Sequence, residues 1–343
     1  YRGIVRKNIV LETDMNTAYI GKLMELAEKD KELVHLLADS GTGLDALFQR
    51  NFPERCFNFG IGEENMLAAA AGMATVGKIP FVFTAGAFLA YRSMEFIRDD
   101  ICFQNLNVKI VGMGSGLSWS ALGPTHHTTE DFSVLRALPN LMILSPSTPL
   151  QVSACVELAY KHRGPVYIRI EMNHEREFFQ EENKDDLTEN QILLDGDYFK
   201  REMRRKAEEK GATIVSGKGQ NKILIYTSGS ILQEAYNASL RLMEDGVYVK
   251  LIAVTKIKPF PEEEVLREME GFENIAVVEE HNIHGGLASI IAECMAYHGI
   301  RGRLLPIGLQ DCFAEGYGTI DKVRRRNGLD EAHIYQELRR LVK

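Results

Sequence analysis

Several features that mark common classes of protein are missing from this sequence. Positive charge is not in excess, because the formal net charge is −8 and the isoelectric point is about 5.7. We therefore expect no nucleic-acid partner, since that would need a basic face. No apolar run approaches the roughly 20 residues of a membrane-spanning helix, so we expect no membrane partner. Cysteine is scarce and no C-x-x-C pair occurs, which excludes a disulfide framework or a zinc site and is typical of reduced thiols in the cytoplasm: Cys56, Cys102, Cys155, Cys294 and Cys312.

The sequence does contain enough apolar material for two domains. Of its 343 residues, 45% are hydrophobic and 26% are charged, as in soluble globular proteins. Because one domain usually spans on the order of 100–200 residues, the length predicts two domains.

Two patterns alternate along both halves of the chain. Helical spacing of apolar residues, as in TAYIGKLMELAEK (17–29), is followed by short apolar runs such as IPFVFTAG (79–86) and PVYIRIE (165–171). The alternation resumes at KILIYTSGS (222–230) and continues to a terminal helix. Continuous apolar strands between amphipathic helices predict an α/β fold of two domains, each a mostly parallel sheet with helices on both faces.

A charge-dense stretch separates the two halves. EREFFQEENKDDLTEN (175–190) and FKREMRRKAEEKG (199–211) have few large apolar residues. Such composition favours a solvated linker with one surface helix over a binding element. The predicted organisation is a first domain over 1–172, a charged linker or insertion over 173–220, and a second domain over 221–343.

Polar loops follow several predicted strands of the first domain. In open parallel sheets the ligand lies beyond the carboxyl ends of the strands, which is where these loops are expected. Any one of them could be an ordinary turn, since Gly, Ser and Asp are common turn residues. Together they predict a site at one edge of the sheet, formed by the loops 38–43, 60–65, 84–88 and 114–127.

Two adjacent carboxylates, Glu63 and Glu64, stand in GIGEENM (60–66) at the start of a predicted helix. Acidic residues in a first turn offset the positive end of the helix dipole and accept hydrogen bonds from free backbone N–H groups. On position alone this capping interpretation is favoured over a functional one.

The whole chain resembles the carboxyl-terminal half of the transketolase family in its split form, in which a second chain carries the pyrophosphate-binding domain. The resemblance implies a thiamine-diphosphate pyrimidine-binding domain followed by a transketolase C-terminal domain. Each motif is weak alone, but their order and spacing are specific: FNFGIGEENMLAAAAGMA (57–74), GPTHHTTEDFSVLRALPNL (123–141), GPVYIRIE (164–171) and VVEEHNIHGGLASIIAE (277–293).

The resemblance implies a catalytic role for Glu63. In the family, the Glu that follows Gly-Ile and one small residue contacts the pyrimidine ring of thiamine diphosphate. A protonated carboxyl at that place favours the imino tautomer of the aminopyrimidine, which can then act as the base. An apolar pocket suits this role because desolvation disfavours the charged form of a carboxyl group. Glu64 is expected to be structural.

The resemblance also implies cofactor contacts for Phe88 and Arg92. Relatives pack an aromatic side chain on the pyrimidine at the position of Phe88, which by itself would more often belong to a core. Arg92 lies four residues later on the same predicted helical face and matches a basic residue that relatives turn toward the site. Its alternative role is a surface salt bridge.

GPTHH carries the family's substrate histidine, which the resemblance identifies as His126. Imidazole can donate, accept or move a proton near neutral pH. Thr125 could support His126, while His127 is a second substrate candidate that could instead pair with Glu130 or Asp131 or lie at a subunit contact. Two adjacent histidines also suggest a metal, but no third ligand stands at a suitable spacing, so we expect no metal ligand in this chain.

Substrate contacts are expected from Asn16 and Ser40 as well, although the chain departs from the family near Asn16. Sugar-phosphate-using relatives often carry an Arg there and another where this chain has Met172. Losing two guanidinium groups removes a bidentate grip on a terminal phosphate. The hypothesis is an altered substrate terminus, or a phosphate held by His174, Arg176 or the partner. Leu122 likewise replaces an Asp of many full-length relatives.

The family's G-D-G followed by a distant Asn, which binds magnesium and the diphosphate, is missing from this chain. The resemblance therefore implies a partner chain with the pyrophosphate-binding domain, in a two-plus-two heterotetramer with self-dimerisation. Mg²⁺ would be bound mainly through that partner. His281 and His284 in the second domain are expected to be structural.

The implied activity is a cytoplasmic, thiamine-diphosphate-dependent transferase of carbohydrate metabolism, which moves a two-carbon ketol unit from a ketose-type donor to an aldose-type acceptor. Two enzymatic alternatives stay open: a reaction like that of deoxyxylulose-phosphate synthase, and the beta subunit of a 2-oxoacid dehydrogenase. A catalytically silent scaffold with the same fold is the alternative from another class.

Overall fold

The protein is described here by a computed structural model, which covers residues 14–39, 43, 45–172, 177–179, 187–196 and 221–342. Its strands are β1 Leu33–Leu37, β2 Cys56–Asn58, β3 Ile79–Ala85, β4 Lys109–Met113, β5 Met142–Leu144, β6 Val166–Ile170, β7 Gln191–Asp195, β8 Lys222–Ser228, β9 Tyr248–Ala253, β10 Lys256–Lys258, β11 Asn274–Asn282 and β12 Arg303–Leu309. Its α-helices are α1 Met15–Lys29, α2 Asp45–Asn51, α3 Glu63–Thr75, α4 Asp131–Leu135, α5 Pro149–Lys161, α6 Leu232–Glu244, α7 Glu262–Met269, α8 Leu287–Tyr297, α9 Ile320–Arg326 and α10 Glu331–Leu341.

Within these residues the strands form two sheets. The first has the order β10-β5-β6-β4-β3-β1-β2 and is parallel except for β10. The second has the order β12-β11-β8-β9-β7 and is parallel except for β7. The predicted fold class, α/β with two mostly parallel sheets, is confirmed.

Local sequence explains where the helices of the first half begin. The Asp14 side chain accepts a hydrogen bond from the Thr17 backbone N–H at 2.9 Å and so caps α1. Thr148 caps α5 in the same way, and Pro149 occupies the first helical position, where no backbone donor is needed. Strands β1, β4 and β6 are buried along their whole length, as a parallel sheet covered on both faces requires.

Two short strands differ from the sequence-based expectation. Ile192, Leu193 and Leu194 lie in the charged connection, yet they belong to β7, which pairs antiparallel with β9. Strand β10 follows β9 in the chain but pairs antiparallel with β5 of the first sheet. Both are edge strands. Strand β10 has only three residues, and in β7 only Leu194 is buried, so neither gives the buried apolar run of the inner strands. Most of the charged connection, in which one surface helix is predicted, lies outside the described residues, and the domain boundaries stay predictions.

The two halves share a hydrophobic core. One cluster of buried side chains runs from Leu36 and Val82 of the first sheet to Tyr226 and Val277 of the second. Among the helices that the structure describes, none combines the length and the apolar composition needed to cross a membrane. All five cysteines are free thiols, and four of them are buried.

His35 in β1 gives a pH-dependent prediction. Its ring is fully buried against Phe48, 4.9 Å between centroids, and Phe83, and neither nitrogen has a hydrogen-bond partner in the described residues. Burial lowers the pKa of His35 to about 3. The unfolded chain takes up this proton near pH 6.5 and the folded chain does not, so stability is lost as the pH falls below 6.5.

Replacing His35 by Phe should remove this acid sensitivity. Between pH 8 and pH 5 the wild-type chain should lose about 2 kcal/mol more of its free energy of unfolding than His35→Phe does. Urea unfolding at both pH values measures the difference. His298→Gln, at an exposed position, provides the control for removal of a histidine outside the core. Equal slopes for the wild type and His35→Phe would contradict the prediction.

Candidate active site

The carboxyl ends of β2, β3 and β4 bring the predicted site loops to one edge of the first sheet. Glu63 is the first residue of α3, and Gly62 before it has no side chain with which to cap the helix. The Glu63 side chain is buried, with 3% of its surface exposed, whereas that of Glu64 is 38% exposed. The adjacent carboxylates therefore have different environments.

Arg92, not a backbone N–H group, is the hydrogen-bond partner of Glu63 in the described residues. The Arg92 Nη1 atom donates to Glu63 Oε2 at 2.8 Å, and Oε1 has no hydrogen-bond partner there. Capping of α3 thus does not account for Glu63. Arg92 does form a salt bridge, which is the alternative role predicted from the sequence. Its partner is the buried Glu63 and not a surface carboxylate.

A π-helical stretch, Phe88–Arg92, follows β3 and aligns two of the predicted residues. The guanidinium carbon of Arg92 lies 5.3 Å from the centroid of the Phe88 ring, as a cation–π contact requires. The sequence predicts an ordinary helix here, and π-helical insertions of this kind are frequent at functional sites. Phe88 itself is half-buried.

His126 lies against Phe88, with 5.3 Å between ring centroids in an edge-to-face arrangement. The Thr125 hydroxyl is 3.0 Å from His126 Nδ1, so Thr125 can set the orientation of the imidazole. Trp119 also lies near the His126 ring, at a centroid distance of 6.3 Å. Glu63, Arg92, Phe88 and His126 are thereby joined by successive contacts at the sheet edge.

The residues 114–128, which we name the His126 loop, are closed at their base by backbone hydrogen bonds between Gly116 and Thr128 at 3.0 and 2.9 Å. Gly114 has a φ of +67°, and a Cβ there would lie 2.0 Å from Trp119 Nε1. Only glycine allows Trp119 to occupy this place beside His126.

His127 is buried and forms no hydrogen bond with Glu130 or Asp131, the partners that the sequence suggested. Glu130 is hydrogen-bonded to Tyr91 and Asp131 to Arg169, and no described side chain is hydrogen-bonded to His127. Burial lowers the pKa of His127, while the charges of Glu280 and Glu130 act in the opposite direction. A pairing of His127 with Glu130 or Asp131 is therefore not observed.

Of the remaining predicted substrate residues, only Asn16 lies within the described part of the chain. Asn16 lies in the first turn of α1, buried, and its Oδ1 atom has no hydrogen-bond partner in the described residues. Ser40, His174 and Arg176 lie outside those residues. Met172 donates from its backbone to Ser118 Oγ of the His126 loop at 3.2 Å.

Sequence reasoning gave no role to two residues near the site. Trp119 is the single tryptophan of the chain, and its position seven residues before His126 is the available signal. Glu280 lies in the motif VVEEHNIHGGLASIIAE (277–293), but no local pattern shows that it reaches Leu117 of the His126 loop, which is 163 positions away in the chain.

One histidine of the second half, His281, is buried among residues of both halves. It stacks on Phe132 at 5.2 Å between centroids and lies 2.6 Å from the Asn282 carbonyl through Nδ1. Nearby Glu279 accepts from the backbone N–H groups of Leu287 and Ala288 at 2.7 and 3.0 Å and thus caps α8. In the described residues no three His, Cys, Asp or Glu side chains lie together in a way that could hold a metal ion.

Comparison with protein families divides the chain into two matched segments. The family described as "Transketolase, pyrimidine binding domain" matches residues 12–174, and "Transketolase, C-terminal domain" matches residues 211–334. Together these matches cover most of the chain.

Individual relatives match nearly end to end. The putative transketolase C-terminal section of Methanocaldococcus jannaschii is 31% identical over 332 residues, covering 96% of both chains. An apulose-4-phosphate transketolase subunit of Actinobacillus succinogenes is 31% identical, covering 92% of this chain and 94% of its own. The 1-deoxy-D-xylulose-5-phosphate synthase of Syntrophus aciditrophicus is 30% identical, and the match covers 93% of this chain but 46% of that enzyme.

A solved structure described as "Split gene transketolase, inactive beta4 tetramer" superposes with a TM-score of 0.80. It is 28% identical in sequence, and the match covers 96% of this chain and 98% of that one. The similarity therefore extends over both sheets.

Proposed function

The chain belongs to the transketolase family, and on that basis we propose that it is the carboxyl-terminal subunit of a split, thiamine-diphosphate-dependent transketolase. It transfers a two-carbon ketol unit from a ketose-type donor to an aldose-type acceptor, and it acts only with a partner subunit. The observation that supports this most directly is the buried Glu63 carboxylate at the start of α3, which lies beside Arg92 in a site that also holds Phe88 and His126.

The residues present fit the aminopyrimidine of thiamine diphosphate. Glu63 Oε1 has no partner in the described residues, so it can bind a ring nitrogen, and the half-buried Phe88 ring lies 5.3 Å from the Arg92 guanidinium that binds Glu63. When bound, thiamine diphosphate supplies the carbanion stabilisation that ketol transfer needs. Arg92 holds Glu63 in place through the other carboxylate oxygen.

His126 is assigned to the substrate. Its Nδ1 atom is close to the Thr125 hydroxyl, which leaves Nε2 to bind the donor's oxygens and to move a proton as the carbon–carbon bond forms or breaks. Thr125 sets the orientation of the ring. His127, Asn16 and Ser40 are proposed as further substrate contacts. We assign Mg²⁺ and the diphosphate to the partner subunit.

A change of His126 to Asn should lower kcat/KM for the ketose donor by about 100-fold, because it removes a proton-transferring group. The affinity of the assembled complex for thiamine diphosphate, measured by calorimetry, should change by no more than about twofold, because His126 is assigned to the substrate and not to the cofactor. His298→Asn, at an exposed position, is the matched control. Equal activity of the two variants would contradict the role of His126.

The form of the substrate terminus is a second part of the proposal. Neither Asn16 nor Met172 can grip a phosphate as a pair of guanidinium groups does. We therefore expect slow turnover of xylulose 5-phosphate and fructose 6-phosphate by the complex, and faster turnover of ketoses with another terminus. Full transketolase rates with those two sugar phosphates would contradict this part alone.

The test of the proposal begins with the partner. The tagged chain is to be recovered from its native cell extract and its companions identified by mass. A stoichiometric chain carrying G-D-G and a downstream Asn is the expected result. Recovery of the chain alone as a homodimer would contradict the split arrangement and favour a scaffold.

The similarity to deoxyxylulose-phosphate synthases supports a second candidate reaction. In that reaction, pyruvate is decarboxylated and the remaining two carbons are joined to an aldehyde. Incubation of the complex with labelled pyruvate and an aldehyde separates the two. Release of labelled CO₂ with incorporation of the remaining carbons would establish the alternative, whereas ketol transfer proceeds without loss of CO₂.

A further inference from the structure

We propose that the second half of the chain positions the His126 loop, and that Glu280 is the positioning residue. This inference rests on the proposed role of His126 in the preceding section. It concerns a residue that touches neither His126 nor any other member of the group at the sheet edge, and it gives the second half a function beyond packing.

Glu280 is almost fully buried, with 1% of its surface exposed, and both carboxylate oxygens are hydrogen-bonded. Its Oε2 atom accepts from the backbone N–H of Leu117 in the His126 loop at 2.9 Å. Its Oε1 atom accepts from Arg324 Nε at 2.7 Å. A buried carboxylate with two charge-assisted hydrogen bonds has a well-defined position, and the loop backbone is bound to it directly.

The fit at this contact leaves no room for a side chain at position 116. Gly116 has a φ of +64°, and a Cβ there would lie 2.4 Å from Glu280 Oε2. Gly116 also makes the backbone hydrogen bonds with Thr128 that close the loop. The Glu280 carboxylate therefore contacts the base of the His126 loop. A small displacement of this carboxylate would shift the later residues of the loop, including His126.

Arg169 adds a second connection at the same place. Its Nη2 atom donates to the Thr128 carbonyl at 3.1 Å and to the Glu280 carbonyl at 3.0 Å. One guanidinium group thus ties the end of the His126 loop to the strand that carries Glu280. On the other side, Arg324 Nη2 donates to the Ser230 hydroxyl at 2.7 Å, so the guanidinium group that binds Glu280 is itself held in place.

The middle of the loop is also attached to the second half. Ser120 and Gly318 form two hydrogen bonds, from Ser120 Oγ to the Gly318 carbonyl at 2.8 Å and from the Gly318 N–H to the Ser120 carbonyl at 3.2 Å. His126 follows six positions later and meets the Phe88 ring. The position of His126 beside Phe88 depends on the conformation of the His126 loop. Because the second half holds this loop, it sets the position of His126.

The experiment compares Glu280→Gln with Glu279→Gln in the complex with its partner. Both glutamates are buried to the same degree, but Glu279 binds the start of α8 and has no contact with the loop in the described residues. In Glu280→Gln, the NH₂ group of the amide would face either the Leu117 N–H or Arg324. Both of these are donors, so one of the two hydrogen bonds would be lost. We expect faster hydrogen exchange confined to peptides of 114–128, and a fall in kcat/KM for the donor of about 100-fold, the cost of a misplacement near 1 Å.

Three outcomes overturn the proposal: loop exchange unchanged in Glu280→Gln, the same local change in Glu279→Gln, or faster exchange throughout both sheets. If Glu280→Gln does not fold, Glu280→Asp keeps the charge beside Arg324 and shortens the reach toward Leu117, and it should show the same confined exchange. If the wild-type complex shows no ketol transfer, the proposed function fails, while hydrogen exchange still decides whether Glu280 holds the loop.

Discussion

Replacing Glu63 by Gln is expected to lower the rate of ketol transfer by about 1,000-fold while the complex with the partner subunit still assembles. The amide has nearly the same shape as the carboxyl group but cannot hold or release a proton toward a bound aminopyrimidine, and a proton-transferring group contributes typically about 100- to 10,000-fold. Burial makes this effect large, because only 3% of the Glu63 side chain is exposed and water cannot replace it.

Glu64→Gln is the matched control for this experiment. Glu64 stands at the next position of the same helix turn, with 38% of its side chain exposed and its carboxylate 4.0 Å from Arg92. It should keep activity within about threefold, as expected of a surface carboxylate whose ion pair is worth at most about 1 kcal/mol. If Glu63→Gln and Glu64→Gln lose the same amount of activity, the negative charge at the start of α3 matters and Glu63 has no specific role. Retained activity of Glu63→Gln would favour the scaffold interpretation.

Replacing Arg169 by Met is expected to lower the free energy of unfolding by about 3–5 kcal/mol, because removal of one partner leaves buried charges uncompensated. Arg169 donates to Asp131 at 3.0 Å and to Glu171 at 2.7 Å, and all three side chains are inaccessible to solvent. The methionine fills much of the space of the guanidinium stem but supplies no donor.

Arg136→Met serves as the control for Arg169→Met. Arg136 also pairs with a carboxylate, that of Glu293, through two guanidinium nitrogens, but the side chains are 25% and 44% exposed. An exposed pair contributes at most about 1 kcal/mol. Urea unfolding followed by circular dichroism measures both variants, and a loss for Arg169→Met no larger than that for Arg136→Met would contradict the prediction.

Much of the candidate site can be predicted from the sequence because its residues lie in short motifs. The family resemblance assigns Glu63 in GIGEENM and His126 in GPTHH, and the two motifs follow strands β2 and β4 of the first sheet. Phe88 and Arg92 stand four residues apart on one predicted helical face. The structure places Arg92 over Phe88, although through a π-helical stretch that no apolar spacing indicates.

The partners of these residues cannot be predicted in the same way. The hydrogen bond from Arg92 to Glu63 joins residues 29 positions apart, and that from Leu117 to Glu280 joins residues 163 positions apart. Sequence periodicity reports which face of an element is buried, but not which distant element covers it. The interpretation of Glu63 as a cap does not hold for this reason: its position suits a cap, while its actual partner comes from another segment.

By itself, the sequence determined the α/β class, the two parallel sheets and the edge at which the site loops gather, since each depends on patterns that span only a few residues. The tertiary structure alone decided that β10 enters the first sheet, that β7 extends the second, and that one hydrophobic cluster joins both halves. It also decided that a carboxylate of the second half binds the loop of His126. These contacts join segments that are far apart in the chain. They form, and contribute to stability, only when the whole chain has packed.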